Sequence, residues 1–231
     1  MAEFVVRVWL PDRPGALGSV ASRIGAVRGD LVGIDILERG AGRAIDELVV
    51  ELPDASLVPL LIQEIHQVDG VDVEEVRVVG AGGRPDPRVA ALETATALVE
   101  QTTSRGVLDM LVARAVVEFE AGWAAVTDAT TAEVVTSAGE APPQAWVAAF
   151  AAGVGGEGEV GGSAGDVAYG PLARSGLTLI LGRPGRPWRG IECRQLAALA
   201  TVADVRCVEL GAKTANYAQP LDRSTARCQP R

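Results

Sequence analysis

Two hydrophobic periods take turns along the first eighty residues. Phe4, Val6 and Val8 alternate with Val5, Arg7 and Trp9, a period of two that predicts a strand over 4–10. Leu17, Val20, Ala21 and Ile24 then recur at helical spacing and predict a helix from Pro14 to Arg28, with Gly29 as its left-handed cap. A second strand is predicted from Leu31 to Leu37, followed by a hairpin turn at Arg39-Gly40-Ala41-Gly42-Arg43. In the next run Leu48, Val50 and Leu52 alternate with Glu47, Val49 and Glu51, the pattern of a half-buried strand. Pro53-Asp54 breaks it. Leu57, Leu60, Leu61 and Ile65 mark a second helix, Gly70 ends it, and Val71–Val79 reads as a fourth strand. Strand, helix, strand, strand, helix, strand predicts an α+β fold of ferredoxin-like βαββαβ type over 1–79. Its sheet is antiparallel, with both helices on one face.

Residues 80–87, Gly-Ala-Gly-Gly-Arg-Pro-Asp-Pro, have linker composition and set a domain boundary. The second domain, 88–210, is less regular. Helical patterns run over 89–103 and 107–119, either as two helices or as one broken at Ser104-Arg105-Gly106. A hairpin is predicted around Asp128-Ala129-Thr130, between strands at 122–127 and 133–136. A short helix is expected at 143–152 and strands at 167–169 and 177–181. A long helix is expected from Gly190 to Leu210. The Gly-rich stretch Gly153–Asp166 reads as a flexible loop, and 211–231, where the apolar pattern fails, as a disordered tail.

Composition narrows the class. The chain has 231 residues, of which 48% are hydrophobic, so a sizeable core is expected. Apolar runs are short and broken by charge, so neither a membrane span nor a secretory signal is expected. A net charge of −9 disfavours nucleic acid as a partner. Three cysteines, Cys193, Cys207 and Cys228, form no framework and fit a reducing cytoplasm.

Chemistry concentrates in Asp12-Arg13-Pro14-Gly15-Ala16-Leu17. A strand running through this turn into a helix leaves backbone N–H groups free at the helix N-terminus, a seat for a small carboxylate. Asp12 also suits a helix cap with Pro14 in the first turn. Elsewhere the chemical handles are few. His66 is the single histidine, and general acid–base work usually recruits one. No nucleophile elbow, Walker loop or zinc spacing occurs. The expectation is a non-catalytic protein without metal or cofactor. Trp123, Asp128, Tyr169 and Arg174 are the candidate pocket residues of the second domain, though a structural role serves each as well.

The first domain resembles an ACT domain, a small regulatory fold of amino-acid metabolism. The resemblance is carried by Phe4–Trp9, the Asp12–Leu17 turn, Gly29-Asp30-Leu31 and Ile34-Asp35-Ile36. It implies a free amino acid bound at an interface between two such domains. Asp12, Arg13, Pro14, Gly15, Ala16, Leu17, Asp30 and Leu31 are then the ligand-binding candidates. The carboxylate would rest on the amides of Gly15, Ala16 and Leu17. Asp30, from across the interface, would take the ammonium. A homodimer follows, and a partner protein is possible. Ligand-free dimerisation, or service as a regulatory subunit of an enzyme of amino-acid metabolism, is the alternative. The second domain is more faintly similar to a GAF domain. Leu177–Arg183 and Trp188–Glu192 carry that likeness, with neither a chromophore-anchoring cysteine nor the family's cyclic-nucleotide motif.

Overall fold

The computed structural model describes residues 1–80, 86–128, 130–131, 133–154 and 161–218. They form two compact units, Met1–Ala90 with Trp188–Glu192, and Ala91–Pro187 with Cys193–Arg231. The centre of the expected linker, 81–85, lies outside the described residues. The fold is α+β, with two antiparallel sheets and six α-helices among the described residues.

The first unit follows the predicted order. Strands β1 (Ala2–Pro11), β2 (Asp30–Gly40), β3 (Arg43–Leu52) and β4 (Asp72–Val78) form one sheet in the order β2-β3-β1-β4. Helices α1 (Ala16–Ala26) and α2 (Val58–Ile65) lie on one face. Phe4, Val6, Val8, Leu48 and Val50 meet Val20, Ile24, Leu61 and Ile65 there in a single core. The β1–β3 register sets Val6 against Leu48 and Phe4 against Val50, and residues opposite each other project to the same face.

Three expectations for this unit need correction. β3 is buried along both faces rather than half-buried, because Glu47 finds buried ion partners on the face away from the helices. The left-handed residue after α1 is Arg28 (φ 63), not Gly29. Gly29 is needed for space instead: a Cβ there would meet Ile24 and Leu52 at 3.0–3.1 Å. The first helix starts at Ala16, two residues after Pro14, because Gly15 holds a left-handed φ of 87°, a value only glycine adopts at little cost.

In the second unit, β5 (Trp123–Asp128), β6 (Val134–Gly139), β7 (Gly162–Ala164), β8 (Val167–Leu172) and β9 (Leu177–Gly182) form a sheet in the order β6-β5-β9-β8-β7. The helical segments number four, with the two at 89–103 and 107–119 separate rather than one broken helix: α3 (Pro87–Val99), α4 (Ser104–Glu118), α5 (Gln144–Val154) and α6 (Gly190–Ala218). Ser104-Arg105-Gly106 does not merely break a helix but begins α4, whose cap is Thr103 accepting from the Gly106 N–H at 3.0 Å. Part of the stretch read as a flexible loop is ordered: Gly162–Ala164 pairs with Val167–Tyr169. Residues 155–160 lie outside the described residues. The final helix also outlasts its predicted end at Leu210 and continues to Ala218. The rest of the expected tail, 219–231, is not among the described residues.

Candidate functional site

The strand β1 ends at Pro11, and the next residues are tied down locally. The Asp12 N–H donates to the Gly42 carbonyl at 2.9 Å, which anchors the turn to the β2–β3 hairpin tip. The Arg13 N–H donates to the Pro11 carbonyl at 2.8 Å and the Ala16 N–H to the Arg13 carbonyl at 3.3 Å. Ala16 is therefore spent inside the turn, and its side chain is buried in the core. It is not the free donor expected. The N–H groups of Gly15, Leu17 and Gly18 have no acceptor among the described residues. They stand at the positive end of the α1 dipole, where an anion is favoured. A Cβ on Gly15 would meet nothing within 4 Å, so the space in front of this backbone is open. Asp12 does not cap the helix, because α1 has Gly15 as its N-cap and no side-chain cap bond. Asp12, Arg13 and Pro14 are exposed, and Leu17 packs partly against the core.

Asp30 and Leu31 sit elsewhere in the same unit. Asp30 pairs with Glu51, which pairs in turn with Glu3. The turn follows Pro11, at the other end of β1. At about 3.3 Å per residue the separation is on the order of 25 Å. A single chain thus does not bring Asp30 to the turn. Leu31 packs against the core. Because β1 and β2 each pair antiparallel with β3, they run in the same direction, and β2 also ends beside the turn.

β2 is an edge strand. Val32, Ile34 and Ile36 on it are exposed, and Ile34 and Ile36 share the helix-bearing face, since they lie opposite Leu48 and Asp46. Beside them is a residue that the sequence pattern did not mark. Asp46 on β3 lies between Val8 on β1 and Ile36 on β2. It is 3% exposed, and its Oδ1 has no hydrogen-bond partner. Burial pushes its carboxyl above the ordinary value of 3.8, Arg39 draws it back, and the Asp12 charge adds to the rise.

The neighbouring carboxylate is in the opposite condition. Glu47 points to the other face, where its Oε1 accepts from Arg7 Nη2 and from Arg77 Nη2, each at 2.7 Å, and from Arg7 Nε at 3.2 Å. Glu192, within the same unit, stands 3.8 Å from Arg7. This cluster holds the strands together and exposes no reactive group.

The second unit does not gather its four candidates. Asp128 accepts from the Thr130 and Thr131 N–H groups at 2.7 and 3.1 Å, which hold its carboxyl below the usual range. It closes its own turn. The Arg174 N–H donates to Asp204 at 2.8 Å. Trp123 and Tyr169 belong to an aromatic chain through Trp146 and Phe150, with ring centroids 5.6–6.3 Å apart. Asp128 lies opposite Leu177 and Trp123 opposite Gly182, at opposite ends of their paired strands. Burial and the Asp204 charge push the Cys207 thiol up to about 11, so it is not a ready nucleophile. His66 ends α2, and its Nε2 accepts from the Val73 N–H at 3.3 Å. Among the described residues no group of three or more His, Cys, Asp or Glu is placed to hold a metal, and no helix is long and apolar enough to cross a membrane.

No family model matches the chain, and no curated protein matches it significantly. Twelve chains of solved structures are similar over part of it, among them the following two. An unknown protein from Galdieria sulphuraria is 15% identical, with a TM-score of 0.31 over 42% of this chain and 62% of that one. A formyltetrahydrofolate deformylase from Pseudomonas putida KT2440 is 15% identical, with a TM-score of 0.26 over 43% of this chain and 39% of that one. The match thus spans less than two thirds of either structure.

Proposed function

We propose that this chain is a non-catalytic regulatory protein that binds a free amino acid where two copies of its first unit meet. The observation that carries this reading is the set of three unengaged N–H groups, on Gly15, Leu17 and Gly18, at the N-terminus of α1. A carboxylate accepts from such groups with charge assistance. The exposed edge of β2 supplies the meeting surface. Two β2 strands related by a two-fold axis run antiparallel. The partner's Asp30, at the start of its β2, then falls near the end of this β2, which is also the end that carries the turn. The separation that keeps Asp30 from its own turn is what a second copy removes. Binding at the junction tightens the dimer by differential affinity and so changes how the second unit engages a protein partner.

Isothermal titration calorimetry against the twenty common amino acids tests the reading, with light scattering for the oligomeric state. The expected result is a dimer and heat for at least one amino acid. A monomer that binds none of them at about 10 mM, a free energy weaker than about −3 kcal/mol, contradicts it. Dimerisation without ligand is the second reading, favoured by exposed Val32, Ile34 and Ile36. It predicts a dimer whose stability no amino acid changes.

A further inference from the structure

We propose that Asp46 supplies the counter-charge for the ligand's ammonium from within the same chain, so that the α1 N-terminus and Asp46 together seat the zwitterionic head of a free amino acid. The inference rests on the amino-acid reading above and deepens it by naming an acceptor that needs no second subunit.

Asp46 is 3% exposed and carries an Oδ1 without a partner. Buried carboxylates are normally paired, because an unpaired charge loses its hydration and gains nothing back. The same strand meets that demand one residue later, where Glu47 receives two arginines. Asp46 has no ion pair of the kind its neighbour makes, although the Glu47 cluster also leaves one atom, Arg7 Nη1, without a hydrogen bond.

Its place in the register explains what it serves. Asp46 is level with Val8, and Pro11 is level with Arg43, so Asp46 is about 10 Å along the sheet from the strand end that feeds the turn. Val8, opposite it, belongs to the core under α1, so Asp46 is on the α1 side of the sheet. The Arg39 charge and, less strongly, the Asp12 charge are near enough to act on it, and Arg39 leaves Oδ1 without a hydrogen bond. On its other flank is Ile36, which is exposed, so the carboxylate borders an open strip rather than a closed core. An amino acid entering over Ile34 and Ile36 meets N–H donors for its carboxylate at one end and an acceptor for its ammonium below. The ammonium has three donors and offers them to the Asp46 carboxylate. The ligand class follows: an α-amino acid with a free ammonium, and not its N-acyl, hydroxy or keto analogue. The partner's Asp30 becomes a closing contact and not the main one.

Calorimetry on the full chain decides this, using the best of the twenty amino acids, its N-acetyl derivative, and the variants Asp46→Asn, Asp46→Ser and Asp30→Asn. The expected result is binding to the wild type, loss of binding for the N-acetyl derivative, and affinity about tenfold or more weaker in the two folded Asp46 variants. Asp30→Asn should weaken it less. Wild-type binding with both Asp46 variants within about twofold of it overturns the role of Asp46 and leaves the amino-acid reading standing. Equal binding of the N-acetyl derivative overturns it too, and needs no variant to fold. If the wild type binds no amino acid, the underlying reading fails with it.

Discussion

The two faces of the first sheet treat buried charge in opposite ways. Asp46 and Glu47 are consecutive, and both are 3% exposed. Glu47, on the face away from the helices, accepts from Arg7 and Arg77. Asp46, on the helix face, has an oxygen with no partner. Removing a charge from water is expensive, and only paired, hydrogen-bonded groups recover the loss. The paired face is therefore built for cohesion. The unpaired face is held at a disadvantage, and such a disadvantage is characteristic of a site awaiting its ligand.

The largest effect is expected from removing Glu47. Glu47→Ala leaves the Arg7 guanidinium, itself 1% exposed, without its acceptor. A loss of about 3–5 kcal/mol is expected in urea unfolding. A loss below about 1 kcal/mol would mean that the cluster contributes little.

Asp46→Asn should move stability the other way. In the absence of ligand it removes a desolvated charge, and a gain on the order of 1 kcal/mol is expected near pH 7. The sign follows from its raised carboxyl pKa. Below the ordinary value of 3.8 the group is protonated whether folded or unfolded, and the variant gains nothing. As pH rises through the raised native value, the wild type loses stability that the variant keeps. Melting midpoints of both proteins from pH 3 to about pH 8 check this. A variant less stable than the wild type at pH 7 would show that the charge is structural.

The smallest effect is expected from an exposed pair in the same unit. Arg23 meets Glu64 at 3.2 Å with its side chain 41% exposed, and Arg23→Ala should change stability by no more than about 0.5 kcal/mol. A larger change would blur the distinction between buried and exposed charge on which the contrast depends.

The architecture of the first unit is written in its alternation. Phe4, Val6 and Val8 against Val20 and Ile24 specify a sheet with a helix on it. The turn is also legible, because Asp-Arg-Pro-Gly interrupts the period between them. What alternation does not reveal is a partner for the second face. Glu47 and Glu51 read alike in sequence, yet Glu47 is buried because Arg7 and Arg77 flank it across the register. Asp46 is in phase with Leu48, Val50 and Leu52, so alternation alone puts it on the helix face; what alternation does not reveal is that the acid is buried there, between Val8 and Ile36, with an oxygen left unpartnered. Gly29 and Arg28 show a similar limit, since glycine as a cap and glycine as a space-saver look identical in the chain. In the second unit small residues dilute the period, so Gly162–Ala164 gave no sign of pairing with Val167–Tyr169.

A carboxylate seated at the N-terminus of α1 would be reported by the amides there. The most direct measurement is a 15N–1H NMR titration of the full chain with the amino acid that gives the strongest calorimetric response. The amide signals of Gly15, Leu17 and Gly18 are expected to show the largest shifts, saturating together as donors to one carboxylate. Saturable shifts elsewhere that leave these three amides unmoved would contradict it.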